Sequence, residues 1–155
     1  MGASRTAVTA GGVMSEVQAE NTVTVSGHTI SGVSGRFVLD ARTNHLITDS
    51  RFGPGESIQA GELFLASLVS CAMANIESTA TEAGYPVTGI QVSATHTRGV
   101  VDPTRYDDTR ITIRIQGVDE SVAETLATRF TETCPIYNTV RRGTGIALEV
   151  VAERP

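Results

Sequence analysis

The sequence predicts an α+β domain, on three observations. Apolar and polar residues alternate through 22–50, 87–118 and 145–153, the period of half-buried strands. Between these blocks lie runs of helical character, Ala60 to Ala83 and Glu120 to Gly143. The resulting order, βββ-α-ββ-αα-β, groups its strands instead of alternating them singly with helices, which separates it from parallel α/β folds. The chain of 155 residues suits one core, so 21–155 is expected to be a single domain. Residues 1–20, small, polar and glycine-containing, are expected to form a flexible N-terminal arm.

In the first block, TVTVSGHTI, GRFVLDA and HLITDS read as three antiparallel strands, with SGVSG and RTN as turns between them. RFGPGES then breaks the sheet. The run Ala60–Ala83 has no proline and no glycine past Gly61, and Gly84 followed by Tyr85-Pro86 is a C-terminal stop. Leu63, Phe64, Leu65, Leu68, Val69, Met73 and Ile76 spread round most of its circumference, so its first half should be enclosed on nearly every side. VTGIQVSATHTRGV and TRITIRIQGV, joined by the turn-rich DPTRYDD, predict a hairpin with Ile111, Ile113 and Ile115 on one face. Asp119 is placed to cap ESVAETLATRFTET, on which Val122, Leu126 and Phe130 share a face. Proline is tolerated in a first helical turn, so Cys134-Pro135 marks a break and the start of a short helix that Gly143 ends. GIALEVVAE should return as a strand.

Composition excludes several functions. The net charge of −5 offers no general attraction for phosphate polymers, so nucleic acid is not an expected partner. All twelve basic residues are arginine, which removes Schiff-base lysines, pyridoxal-phosphate anchors and Walker A loops. No run approaches about 18 consecutive apolar residues and no secretory h-region opens the chain, so the expectation is no membrane and a cytoplasmic location. His28, His45 and His96 are scattered over strand or turn sequence, and no cysteine or histidine cluster has zinc-ligand spacing; no metal and no cofactor are expected.

Two cysteines remain. A cysteine on a buried helix, as Cys71 is expected to be, is usually inert. Cys134 stands where a new helix starts, near unsatisfied N–H groups and the positive end of a helix dipole, conditions that favour a thiolate.

The blocks PGESIQAGELFLASLVSCAMA and ETCPIYNTVRRGTGIALEV, in this order and separation, resemble the two cysteine motifs of the OsmC/Ohr family, the osmotically inducible and organic hydroperoxide resistance proteins. The likeness follows the element order from about Asn21 to Val151, and the wording Glu-Leu-Phe-Leu is closer to the broader OsmC-like branches than to Ohr proper. The resemblance implies antiparallel sheets wrapped round long central helices in an intertwined homodimer. It also implies a thiol peroxidase reducing organic hydroperoxides, with hydrogen peroxide a further substrate. Cys71 would be the peroxidatic residue and Cys134 the resolving one, and an external thiol or dithiol would be the reductant.

In the Ohr branch an arginine from the N-terminal hairpin and a glutamate ten residues before the cysteine hold the thiolate. Position 61 is glycine here and the nearest acid, Glu62, lies nine residues before Cys71; at about 100° per residue it points half a turn away. Glu62 is therefore either an activating carboxylate or an acid placed in the first turn by the macrodipole. Arg36 or Arg51 would supply the arginine, and Tyr137 either borders the site or packs in the core. The competing reading is a non-catalytic OsmC-like dimer that binds an apolar ligand in its interface groove.

Overall fold

The structure, a computed structural model, describes residues 4–7, 22–143 and 149–152. Its elements in order are β1 (Ser4–Ala7), β2 (Ser26–Thr29), β3 (Arg36–Ala41), β4 (Asn44–Asp49), α1 (Ala60–Ala83), β5 (Gly89–Arg98), β6 (Tyr106–Gln116), α2 (Glu120–Thr133), α3 (Pro135–Arg142) and β7 (Glu149–Ala152). The fold is α+β. Its strands form three small antiparallel sheets, β2-β3-β4, β5-β6 and β1-β7. β1 falls within the expected arm and pairs along β7; residues 1–3 and 8–21, and 145–148 and 153 of the expected last strand, lie outside the described residues.

The first strand is shorter than expected, and register explains why. Ser26 pairs with Asp40, and β3 ends at Ala41, where the chain turns through Arg42 and Thr43 into β4. Ala41, the end of β3, falls opposite Val25, and no length of β3 remains opposite residues 22–24; none of residues 22–25 is strand. The turn places Arg42 at φ 58°, the left-handed conformation that two-residue hairpins of the primed types require.

β5 and β6 pair over nearly their whole lengths, with Ile90 opposite Ile115, Val92 opposite Ile113 and Ala94 opposite Ile111. This apolar face packs on α1 from one side while α2 packs on it from another. Leu68, Ala72, Ile76 and Ala80, one helical turn apart, form the buried stripe of α1, and the last three join Leu126, Phe130 and Cys134 in one core cluster. Each large apolar side chain buried here stabilises the fold by roughly 1.5–3 kcal/mol.

Both ends of α1 are specified locally. The Gln59 side chain accepts the N–H of Glu62 while the Glu62 carboxylate accepts the N–H of Gln59 at 2.7 Å, a reciprocal capping pair. Gly84, at φ 70°, takes the left-handed position that closes the helix. By length and composition α1 could cross a membrane; in this fold it is the central helix on which β5, α2 and α3 pack. The single chain does not enclose the first half of α1 as the sequence led one to expect: Met73 is 40% exposed, and Leu63, Phe64, Leu65 and Val69 are only half-buried.

Candidate active site

The site grows out of the junction between α2 and α3. Cys134 closes α2, its N–H donating to the Phe130 carbonyl at 2.9 Å, and its extended backbone then redirects the chain. Pro135 occupies the first position of α3, where its missing N–H costs nothing, and the Cys134 sulfur accepts the N–H of Tyr137 at 3.4 Å. Cysteine thus takes the capping role usually filled by serine or aspartate. The Asn138 side chain fixes the bend by donating to the carbonyls of Cys134 and Thr131 at 2.9 and 3.0 Å. Arg141 and Arg142 stand in the last turn of α3, where positive charge complements its dipole.

Cys71, in the middle of α1, faces this junction. It packs against the buried cluster that contains Cys134, whose thiol and the backbone N–H of Ile136 act electrostatically on its sulfur, and the side-chain N–H of Asn75 reaches that sulfur at 3.5 Å. Both cysteines are free thiols; Cys134 is fully buried and Cys71 half-buried. In the first turn of α3 the Tyr137 N–H is directed at the Cys134 sulfur, and the neighbouring Ile136 N–H favours negative charge on Cys71. Burial, and then the adjoining Cys134, push the Cys71 thiol up to about 11; the donors at Ile136 and Asn75 pull the other way.

Asn75 escaped the reading of the sequence. It lies one turn after Cys71, donates to the Cys71 carbonyl at 2.9 Å and to the sulfur at 3.5 Å, and its Oδ1 is 3.2 Å from the Thr133 hydroxyl. The i,i+4 spacing was a usable signal, since residues so spaced share a helix face.

The other candidates lie elsewhere. Glu62 is exposed and engaged with Gln59 in the cap of α1. Arg36 forks onto Asp49, Nε to Oδ1 at 2.8 Å and Nη2 to Oδ2 at 3.0 Å, and also reaches Glu56 at 2.8 Å. Asp49, 2% exposed, further accepts the N–H groups of Glu56 and Ser57, so these residues pin the loop that enters α1. The Arg36 fork holds the Asp49 carboxyl well below the usual carboxylate range. Arg51 lies over the Phe52 ring, 4.4 Å from its centroid. None of these charged groups is among those acting on the Cys71 sulfur. Tyr137 packs against the core, with its ring centroid 5.3 Å from that of Phe130. His28 and His45 flank Asp40 on the β2–β4 sheet at 3.4 and 2.6 Å.

A cavity of about 1010 Å³ opens between the β2–β4 sheet and the start of α1, and neither cysteine lines it. His96 and Tyr106 crowd position 61 there: a side-chain carbon on Gly61 would come within 3.1 Å of His96 Nε2 and of the Tyr106 hydroxyl. Among the described residues no group of three or more histidines, cysteines or acids could hold a metal ion.

The chemistry available is that of a dithiol: a half-buried Cys71, a fully buried Cys134 packed in the same cluster, and N–H donors for charge on either.

Comparison with known proteins bears on the family and the fold. The profile of the OsmC family, described as OsmC-like protein, matches residues 53–149, the span that holds both cysteines. No curated protein matches the sequence. Among solved structures, a hypothetical protein from Aquifex aeolicus VF5 superposes with a TM-score of 0.68 at 18% identity, over 79% of this chain and 89% of that one. An organic hydroperoxide resistance protein from Elizabethkingia anophelis gives 0.63 at 16% identity, over 79% and 89%. An organic hydroperoxide resistance protein OsmC from Legionella pneumophila gives 0.58 at 20% identity, over 77% and 89%. At these identities the likeness is one of fold.

Proposed function

This chain belongs to the family of OsmC-like proteins, and from that premise we propose that it is a thiol peroxidase acting on organic hydroperoxides and, as a further substrate, hydrogen peroxide. The observation that carries the reading is that Cys71, half-buried, packs against the cluster that holds the fully buried Cys134 at the start of α3. The names of the Legionella pneumophila and Elizabethkingia anophelis structures support the substrate class.

The Cys71 thiolate attacks one peroxide oxygen. An S–O bond forms, the O–O bond breaks, and the departing alkoxide takes a proton to leave as alcohol, with Cys71 now a sulfenic acid. Cys134 then attacks the Cys71 sulfur; the S–S bond forms as hydroxide departs with the Cys134 proton as water. An external thiol or dithiol reduces the disulfide by exchange. The less buried cysteine, Cys71, suits first attack and the fully buried Cys134 resolution, because a fully buried thiol is shielded from a second peroxide. The cycle needs no cofactor and is placed in the cytoplasm, where thiol reductants are maintained. The working form is a homodimer: the half-open first turns of α1 and the exposed Leu46 and Ile47 of β4 support burial against a second copy. In this reading Glu62 serves α1 as its cap, Arg36 the loop before it, and Arg51 lies on the Phe52 ring.

One observation favours the second reading, a non-catalytic dimer holding an apolar ligand: the 1010 Å³ cavity stands apart from both sulfurs. Steady-state consumption of cumene hydroperoxide with a dithiol as reductant separates the two. The peroxidase reading expects turnover in the wild type and none in Cys71→Ser, since serine is not a usable nucleophile towards an O–O bond without strong activation. No consumption by either protein above the protein-free rate would point to the ligand-binding dimer.

A further inference from the structure

We propose that Asn75 is a catalytic residue of the thiol centre, the side chain that stabilises negative charge on the Cys71 sulfur as it attacks and becomes oxidised. The proposal rests on the peroxidase reading and adds a group to it.

The geometry assigns the amide without ambiguity. A backbone carbonyl can only accept, so the Asn75 atom 2.9 Å from the Cys71 oxygen is the nitrogen, and its second hydrogen is left for the Cys71 sulfur at 3.5 Å. Oδ1 then faces the Thr133 hydroxyl at 3.2 Å, whose hydrogen is shared with the Arg129 carbonyl at 2.7 Å. Thr133 directly precedes Cys134. One amide thus ties the sulfur on α1 to the junction that carries the other sulfur, and holds its N–H in place before any charge develops.

The setting makes this donor matter. The titratable group facing the Cys71 sulfur from the α2–α3 junction is Cys134, and no arginine, histidine or carboxylate among the described residues acts on it. Anionic charge on that sulfur is met by the Asn75 side-chain N–H, 3.5 Å away, and is favoured by a second group, the backbone N–H of Ile136. In a half-buried position a hydrogen bond to an ionised acceptor is about twice as strong as a neutral one, so losing one of the two weighs heavily on thiolate formation.

The test compares the wild type with Asn75→Ala, Asn75→Asp and Thr133→Val. The rate of Cys71 alkylation by iodoacetamide is measured at one alkaline pH and localised by mass spectrometry, beside single-turnover reaction with cumene hydroperoxide. Asn75→Ala keeps a strong helix former and should slow alkylation severalfold. Asn75→Asp, nearly the same shape but carrying negative charge, should slow it about tenfold or more, the effect of a like charge that raises a thiol by one unit. Thr133→Val should act in the direction of Asn75→Ala, more weakly. A side chain needed only for packing would give the reverse order, with Asp milder than Ala, and that order or unchanged rates would overturn the proposal. Should the aspartate variant fail to fold, the alanine and valine variants decide it. Alkylation reads Asn75 even if the wild type consumes no peroxide, which would instead refute the peroxidase reading.

Discussion

Arg36 and Asp49 meet through two parallel N–H···O bonds, 2.8 and 3.0 Å long, and the carboxylate they join is 2% exposed. Because the fork holds Asp49 below its ordinary carboxylate range, the folded state binds that proton more weakly than the unfolded chain. The pair therefore contributes stability that is present above about pH 4, the unfolded value, and is lost as the pH falls towards the folded one. Asp49→Asn should unfold at lower denaturant concentration than the wild type at pH 7, with the gap narrowing as both are titrated into acid. A gap that stays constant from neutral pH to about pH 2 would show that the fork does not work this way.

Burial sets a second expectation. The thiol of Cys71, raised to about 11 by its enclosure and by Cys134, is protonated at neutral pH, so its reactivity should climb about tenfold per pH unit between about pH 7 and 10. The sign for stability is opposite to that of Asp49: this thiol favours the fold below its unfolded value and ceases to do so as the pH rises through the folded one. Alkylation of Cys71 followed by mass spectrometry measures the first effect. A plateau already reached at pH 8 would contradict it.

The packing that holds Cys134 in place is open to a direct measurement. Phe130 is 1% exposed, its carbonyl receives the Cys134 N–H, and its ring abuts Tyr137. Phe130→Ala should lower the unfolding free energy by about 3–5 kcal/mol in urea titrations, and leave Cys134 open to thiol reagents under native conditions. A loss below about 1 kcal/mol would mean that the ring is not part of the core.

Much of this was legible from the sequence because the signals are local. Asp119 does accept the N–H of Val122 at 2.9 Å as the cap of α2, Gly84 and Gly143 end their helices, and Pro135 marks the start of α3. The half-turn offset that turned Glu62 away from Cys71 is a property of helix geometry alone, and the structure finds that carboxylate in the cap. Contacts between distant segments carry no such signal. That Cys71 meets Cys134, that Arg36 binds Asp49 and Glu56, and that Thr133 faces Asn75 depend on how α1, α2 and the β3–β4 hairpin are placed in space. The resemblance of the two cysteine motifs supplied the first of these; nothing supplied the others.

Exposure in the single chain leads to a prediction about assembly. Leu46 and Ile47 on β4 are 42% and 47% exposed, and Met73 on the central helix 40%, large apolar side chains that a second copy would cover. Light scattering should give twice the chain mass at micromolar concentration. A monomer mass would remove the dimer from the account.

The central claim is that Cys71 and Cys134 form one redox centre, and its most direct measurement is intact-mass and peptide mass spectrometry after one equivalent of cumene hydroperoxide. The account predicts loss of both free thiols and a single intrachain Cys71–Cys134 disulfide that a dithiol reverses. Two cysteines that remain free and titratable after denaturation, with the peroxide unconsumed, would contradict it.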